Sequence, residues 1–419
     1  MRIAYMTGEY PRATDTFIQR EIAALRNQGA QVYTFSIRPT GDEHIVGPEQ
    51  QQERDNTFYI LPIKPIQLLL AHLSLLFTRP GKYLQTLGLA WSTRRYGVIG
   101  TIYQLFYFLE AGIVAQQIRQ KQIQHLHNHF GDSSCTVAML AAALGDFSFS
   151  FSLHGPYIFF NPYVWRLDAK IERALFVACI SNYCRSQGMI FGSTDTWKKM
   201  YIVHCGVDPE LFTPVTHEGL GLNLLYLGRL ASVKGLPILF ASIAQLKTIF
   251  PELCLNLIGD GPERAKLESL VQELGIEDNV KFLGYKSQAQ VREQLQQTDI
   301  YVLPSFAEGV SVSLMEAMAG GVPVVTTQIA GVNELVENGV SGYIVPAGDV
   351  NSLTEKLTLL IKDAQLRQEL GTAGRKKVAT DFNLNQEANW LAKIMRTYLD
   401  APEQVAHLPV RENLQTSSL

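Results

Sequence analysis

Neither sign of charge dominates this chain. Its 419 residues carry 36 Lys+Arg against 39 Asp+Glu, a formal net charge of −3, so no overall basic field points to nucleic acid. Cysteine is scarce and unpaired in pattern: Cys135, Cys179, Cys184, Cys205 and Cys254 are odd in number, scattered, and form no CxxC. That usage excludes a disulfide scaffold and a zinc ribbon, and fits a reducing compartment. Met1–Met6 passes directly into strand-like sequence without a secretory signal pattern, and a cytosolic location is expected. Two apolar runs stand out, Pro65–Thr78 and Tyr96–Leu109, but each is 14 residues long, short of the ~20 needed to span a bilayer. They fit buried core helices or segments lying at a membrane interface, and Arg79, Lys82, Arg94 and Arg95 between them keep the interfacial reading open. No internal repeat and no low-complexity segment is present.

What is abundant is apolar sequence: 47% of residues are hydrophobic and only 18% charged, enough for large cores, and the length predicts two domains. The halves differ in charge. Residues 1–200 hold 19 Lys/Arg and 14 Asp/Glu, whereas residues 201–419 hold 17 and 25. Either the first half meets an anionic surface or the two halves attract each other.

Short apolar runs alternate with helical stretches of 10–15 residues. In the second half, Leu222–Leu227, Leu253–Ile258, Val280–Leu283, Asp299–Leu303 and Val322–Thr326 read as strands. Pro262 is expected at the first position of a helix running to about Leu274. The first half begins the same way, with Arg2–Met6 as strand, Thr16–Gln28 as helix and Gln31–Ile37 as strand. It continues through a helical apolar insertion at about 60–120 to the strands His125–Asn128 and Ser148–Leu153. The pattern is α/β: two doubly wound, Rossmann-like domains facing a central cleft, with ligands at the strand C-termini. The expected division is an N-terminal domain over 1–205, a hinge over 206–214 in CGVDPELFTP, and a C-terminal domain over 215–381. A helix over 382–400 crosses back to the N-domain, and a frayed tail occupies 401–419.

Two loops carry candidate chemistry. Gly228-Arg229-Leu230-Ala231-Ser232-Val233-Lys234-Gly235 places two cations after a parallel strand, where a doubly wound fold binds anions. Pro304–Gly321 places Glu308 in a strand-to-helix loop, Gly309 beside it, and a helix opening near Ser311 whose free amides suit phosphate or hydroxyl oxygens. Glu316 sits among Leu314, Met315, Ala317 and Met318, a poor setting for a solvated acid, which weighs against the alternative of Glu308 as a helix cap and Glu316 as a solvated helix residue. His125, His127 and His129 alternate in HLHNH and would share one face of a strand. No Cys or acidic fourth ligand nearby in the sequence completes a metal site, so no metal is expected there.

The EGVSVSLMEAMAGGVPVV stretch resembles the E-x7-E motif of retaining glycosyltransferases of family 4, which have the two-domain GT-B fold. GRLASVKG resembles that family's pyrophosphate-binding loop. IGDGPERAKLESL, NVKFLGY, GVNELVENGVSGYIVPAGD and HCGVDPELFTP extend the likeness over nearly all of residues 201–365. In the first half, YPRATDTFI and HLHNHFG resemble the branch that builds colanic acid and other exopolysaccharides, though the Gly-Gly pair many relatives carry after the first strand is missing. Phosphate contacts there through Thr14 or Thr16 are correspondingly open.

The resemblance implies transfer of a hexose, with retention, from a UDP- or GDP-sugar to a hydroxyl acceptor such as a lipid-linked saccharide or glycolipid. No cofactor beyond the donor and no essential metal is implied. Arg229 and Lys234 would neutralise the diphosphate, and Glu308 with the amides of Gly309, Val310, Ser311 and Val312 would hold the hexose. Glu316 would take the ribose hydroxyls, and His154 would contact the sugar near its anomeric carbon. Closure about the hinge would complete the site. A UDP-sugar 2-epimerase of the same fold, a non-catalytic nucleotide-sugar scaffold and a peripheral membrane protein are the competing readings.

Overall fold

The computed structural model describes residues 1–411. The described chain forms two compact units, one of residues 1–204 with 388–411, the other of residues 205–387.

The first unit is a seven-stranded sheet of β1 (Arg2–Glu9), β2 (Gln31–Arg38), β3 (Phe58–Tyr59), β4 (His125–His129), β5 (Ser148–Leu153), β6 (Val177–Cys179) and β7 (Met200–Ile202) in the order β3-β2-β1-β4-β5-β6-β7. Every pairing is parallel. A parallel sheet is covered by helices on both faces, which is why β4 is buried at all five residues. The strand order reverses between β1 and β4, the position where doubly wound sheets open a ligand crevice at their C-terminal edge.

The insertion is three helices, Pro65–Thr78, Pro80–Thr93 and Val98–Gln120. The third continues through Glu110 to 23 residues, long and apolar enough by length and composition to cross a membrane, which the two 14-residue runs alone did not indicate. Its middle, Glu110–Ala115, is buried, with Ala111, Val114 and Ala115 fully enclosed.

The second unit repeats the plan with six parallel strands: β8 (Asn223–Leu227), β9 (Cys254–Ile258), β10 (Val280–Gly284), β11 (Ile300–Leu303), β12 (Val324–Thr327) and β13 (Tyr343–Val345). They lie in the order β10-β9-β8-β11-β12-β13, and the order reverses between β8 and β11. The helix expected to open at Pro262 starts two residues later, at Arg264. The cause is loop-to-loop bonding: Leu230 N donates to Asp260 O (3.0 Å) and Glu263 N donates to Leu230 O (3.1 Å), which holds 260–263 in a turn.

The last helix, Leu384–Asp400, gives its residues from Ala388 onward to the first unit, where the buried Trp390 indole donates to Ile202 O at 2.9 Å. Segments 206–207 and 382–384 run side by side, with Val207 N donating to Phe382 O (3.0 Å) and Leu384 N to Val207 O (2.9 Å). The expectation of a frayed tail from 401 needs correction: Pro402–His407 form a 3-10 helix, and Ile202 N donates to Val410 O at 2.8 Å, so backbone pairing orders this segment. The rest of that tail, 412–419, lies outside the described residues. The five cysteines are free thiols, four of them buried.

Candidate active site

In the second unit, loops from the C-terminal ends of β8, β9 and β11 interlock, and glycine makes the contact possible. Gly235 has φ +65° and Gly259 φ +129°, and an added Cβ would collide with the Pro304 carbonyl and the Gly228 carbonyl respectively. Phe306 N donates to Val233 O (2.8 Å) and Gly228 N to Ile258 O (3.0 Å), which completes the lacing. Beneath the first loop, the buried Tyr226 hydroxyl donates to Arg229 O at 2.9 Å.

This lacing brings Lys234 and Glu308 together. Lys234 Nζ lies 2.6 Å from Glu308 Oε1, and Ser305 Oγ donates to the same oxygen at 2.6 Å. Both donors fall on Oε1, which leaves Oε2 to receive a ligand hydroxyl, and Lys234 retains further N–H groups for an anion. Glu308 is 8% exposed, so the pair sits where water screens it weakly. Arg229 is exposed at the loop surface. Gly309, Val310 and Ser311 are buried and Val312 half-buried around the N-terminus of the helix Val312–Ala319, whose first-turn amides concentrate positive potential. Tyr301 OH donates to Ser313 Oγ at 2.6 Å, and Ser311 and Ser313 hydroxyls are 3.0 Å apart, which ties that turn down. Glu316 is 6% exposed, so the surface-residue reading fails for it.

His154 belongs to the first unit, at the end of β5. Phe17 and Phe130 pack on its ring at centroid distances of 5.1 and 4.9 Å. Phe130 is held at φ +70°, the left-handed region, which a bulky residue adopts only where its surroundings impose it. His154 Nε2 lies 3.0 Å from His129 Nδ1, His129 Nε2 lies 3.1 Å from Glu21 Oε1, and Tyr5 OH donates to the same Glu21 oxygen at 2.7 Å. Burial holds the His154 imidazole far below its ordinary pKa, so the ring is neutral. With Glu21 accepting, His129 donates from Nε2, and its Nδ1 contact couples the His154 ring to that carboxylate.

The histidines of β4 divide in function. His125 bridges Ser148 and Ser150 at 2.7 Å each, and His127 bridges Ser150 (2.7 Å) and Ser152 (2.9 Å), a ladder across the β4–β5 pairing. Burial pushes His125 down to about 3. Glu21, His127 and His129 place donor atoms within 4.8 Å of one another, yet both nitrogens of each ring already have partners, so the set is satisfied internally. Neither Thr14 nor Thr16 is singled out as a phosphate contact: Thr14 Oγ1 donates to Asp15 Oδ1 at 3.1 Å.

Ser305, Tyr226, Tyr5 and Glu21 were not singled out by the sequence, and His129 was singled out without its tie to Glu21. The facing serines had a readable signal: HLHNH and SFSFSL alternate with the same period in consecutive strands.

With this geometry in view, comparison with known proteins shows what the chain is similar to. Residues 215–377 match the family described as Glycosyl transferases group 1. Over 95% of its length the chain is 26% identical to the whole of the putative colanic acid biosynthesis glycosyltransferase WcaL of Salmonella typhimurium. It is 34% identical over 47% of its length to 51% of the amylovoran biosynthesis glycosyltransferase AmsK of Erwinia amylovora. Among solved structures, Anabaena Alr3699/HepE in complex with UDP and glucose superposes with a TM-score of 0.72 at 17% identity, covering 95% of this chain and 100% of that one. Sucrose-phosphate synthase from Thermosynechococcus elongatus gives 0.73 at 19% identity, over 96% and 100%. These likenesses establish the fold: two doubly wound, Rossmann-like α/β domains of the GT-B type.

Proposed function

We propose that this protein is a retaining glycosyltransferase that moves a hexose from a nucleoside-diphosphate sugar, UDP-linked or GDP-linked, to a hydroxyl of a lipid-linked saccharide or glycolipid. The setting is exopolysaccharide or cell-envelope biosynthesis at the cytoplasmic face of the membrane. The observation that carries the reading is the Lys234–Glu308–Ser305 constellation at the switch point of the second sheet.

In this reading the bond from the anomeric carbon to the diphosphate oxygen breaks, the acceptor oxygen bonds to that carbon from the same face, and the acceptor proton leaves with the diphosphate. Lys234, Arg229 and the amides at Gly309–Val312 hold the departing negative charge, which is electrostatic catalysis by groups fixed before reaction and needs no metal ion. Glu308 Oε2 accepts from a hexose hydroxyl. Its other oxygen already takes two short hydrogen bonds, a poor arrangement for a covalent nucleophile. Glu316 accepts from ribose hydroxyls. His154 contacts the hexose. The exopolysaccharide setting draws on the names of WcaL and AmsK, and UDP is the first base to try because it is the nucleotide in the HepE complexes.

The test is turnover. The full chain is incubated with UDP-glucose, UDP-galactose or GDP-mannose and membrane lipid extract, with and without EDTA, and the glycosidic product is examined by NMR. An α-configured product from an α-linked donor, formed equally in EDTA, is the expected result. An inverted product refutes retention, and interconversion of donor hexoses without transfer supports the epimerase reading instead.

A further inference from the structure

The three-helix insertion has its amphipathicity inside out. In the helix Pro80–Thr93 the buried stripe is Thr86, Ala90 and Thr93, while Leu84, Leu87 and Trp91 face solvent at 62, 43 and 61% exposure. In Pro65–Thr78, Ala71, His72 and Leu75 point inward. Ile66, Leu69, Leu73 and Phe77 form the exposed stripe, at the i, i+3, i+7, i+11 spacing of one helical face. At the start of Val98–Gln120, Gly100 and Gln104 are buried while Val98, Ile99, Ile102 and Phe106 are exposed. Of the 29 large apolar side chains exposed among the described residues, 16 lie between Ile66 and Phe106. A helix on a water-facing surface puts its polar stripe outward, so this arrangement marks a surface whose working environment is not water.

Charge identifies the occupant. Residues 56–109 contain Lys64, Arg79, Lys82, Arg94 and Arg95 and no Asp or Glu. Arg79 and Lys82 are spent on Asp146. Lys64 and Arg95 are exposed, and the Arg94 guanidinium stacks 3.6 Å over the exposed Trp91 ring. Tyr96, next to Arg95, is fully exposed. Aromatic rings with flanking cations beside an aliphatic stripe suit the headgroup boundary of an anionic bilayer. A second copy of the chain meets this face less well, because two-fold pairing would set cations against cations with no acid in 56–109 to balance them.

We infer that the helices of residues 65–106 form a monotopic docking surface for an anionic lipid bilayer. The surface inserts its apolar stripes at the acyl boundary, with Lys64, Arg94 and Arg95 at the headgroups. It does not span the bilayer: the middle of Val98–Gln120, Glu110–Ala115, stays enclosed in its unit. The inference rests on this surface alone, and it adds to the proposed acceptor class by bringing the protein to where a lipid-linked acceptor resides.

The experiment is co-sedimentation of the full chain with phosphatidylcholine vesicles with and without 30 mol% phosphatidylglycerol. The variants are R94Q/R95Q and I99S/I102S, both on the surface, with melting temperature as the folding control. Wild type is expected to sediment with the anionic vesicles and to be released by salt. Removing two charges should weaken partitioning roughly 25-fold, at about fivefold per charge. Trp91 fluorescence should be quenched by brominated acyl chains and lose that quenching in W91F. A wild-type chain that stays in the supernatant overturns the inference, as does binding that neither variant weakens. A dimer that dissociates in I99S/I102S would assign the face to a second copy. UDP binding by the same variants stays at the wild-type level whichever way the vesicles read, which separates this inference from the transferase proposal.

Discussion

Lys234 Nζ and Glu308 Oε1 are 2.6 Å apart across two loops separated by 74 residues of sequence. The pair joins the two motifs that the amino-acid sequence presents separately. Under the proposed function, the cation assigned to the diphosphate and the carboxylate assigned to the hexose hold each other in place before donor arrives, so each positions the other. Substituting one partner therefore changes two contacts to the donor.

Glu308→Gln tests the division of labour. The amide keeps the volume and a carbonyl acceptor but loses the charge, so Lys234 is freed for the diphosphate. Nucleoside-diphosphate binding should be equal to or tighter than wild type, while the transfer rate falls about 100-fold, the scale of one charge-assisted hydrogen bond of up to ~3 kcal/mol. Equilibrium titration with UDP beside single-turnover rates separates the two effects.

Glu21 connects to His154 through His129: His129 Nε2 lies 3.1 Å from Glu21 Oε1 and His129 Nδ1 lies 3.0 Å from His154 Nε2. In Glu21→Gln the amide can donate to His129 Nε2, which would reverse the proton order along the chain. The expected outcome is a change in the 15N shifts of the His154 ring and a drop in kcat with little change in donor KM, whereas a purely structural role for Glu21 would lower stability and leave those shifts alone. Loss of the buried partner is expected to cost about 1–3 kcal/mol in the Glu21→Ala variant.

Glu110 makes stability depend on pH. Burial raises its carboxyl to about 7, and Oε2 has no hydrogen-bond partner. The folded chain therefore holds this proton at pH values where the unfolded chain has released it. Stability should fall as pH rises from about 4.5 to about 7, by up to about 3 kcal/mol, and then level off. Glu110→Gln should flatten that fall. Urea midpoints at pH 5 and pH 8 for both chains check it, and parallel pH slopes would contradict it.

Gly235→Ala forces a Cβ toward the Pro304 carbonyl at a positive φ. The two loops must separate, so the Lys234–Glu308 contact is lost along with about 1–3 kcal/mol of stability. Gly8→Ala, where nothing lies within 4 Å of the added carbon, is the control and should be neutral. Thermal melts and UDP titrations of both variants provide the comparison.

The second unit was largely legible because parallel strands buried on both faces read as short apolar runs. The strand expected over Leu253–Ile258 is observed as Cys254–Ile258, within one residue. Glu316 could be placed in a buried setting from its neighbours alone. What sequence did not reveal depends on contacts between distant segments. Pro262 satisfies the local rule for a helix start, yet bonds from Leu230 hold its neighbours in a turn. Ser305 gains its role only when Lys234 comes from another loop to the same oxygen. His125, His127 and His129 look equivalent at period two. The serines of β5 satisfy the first two, and Glu21, 108 residues from His129, claims the third. The outward apolar stripes of residues 65–106 were visible as runs, but which face would be buried was set by packing and not by hydrophobicity.

The most direct test of the donor-site assignment is isothermal titration of the full chain and its Lys234→Ala variant with UDP, GDP, UDP-glucose and GDP-mannose. The prediction is saturable binding of one base series by wild type, and a loss of about 10- to 100-fold in the variant, whose melting temperature is unchanged. Equal affinity in the two proteins, or no binding of any nucleotide by wild type, would contradict the placement of the donor diphosphate at Lys234.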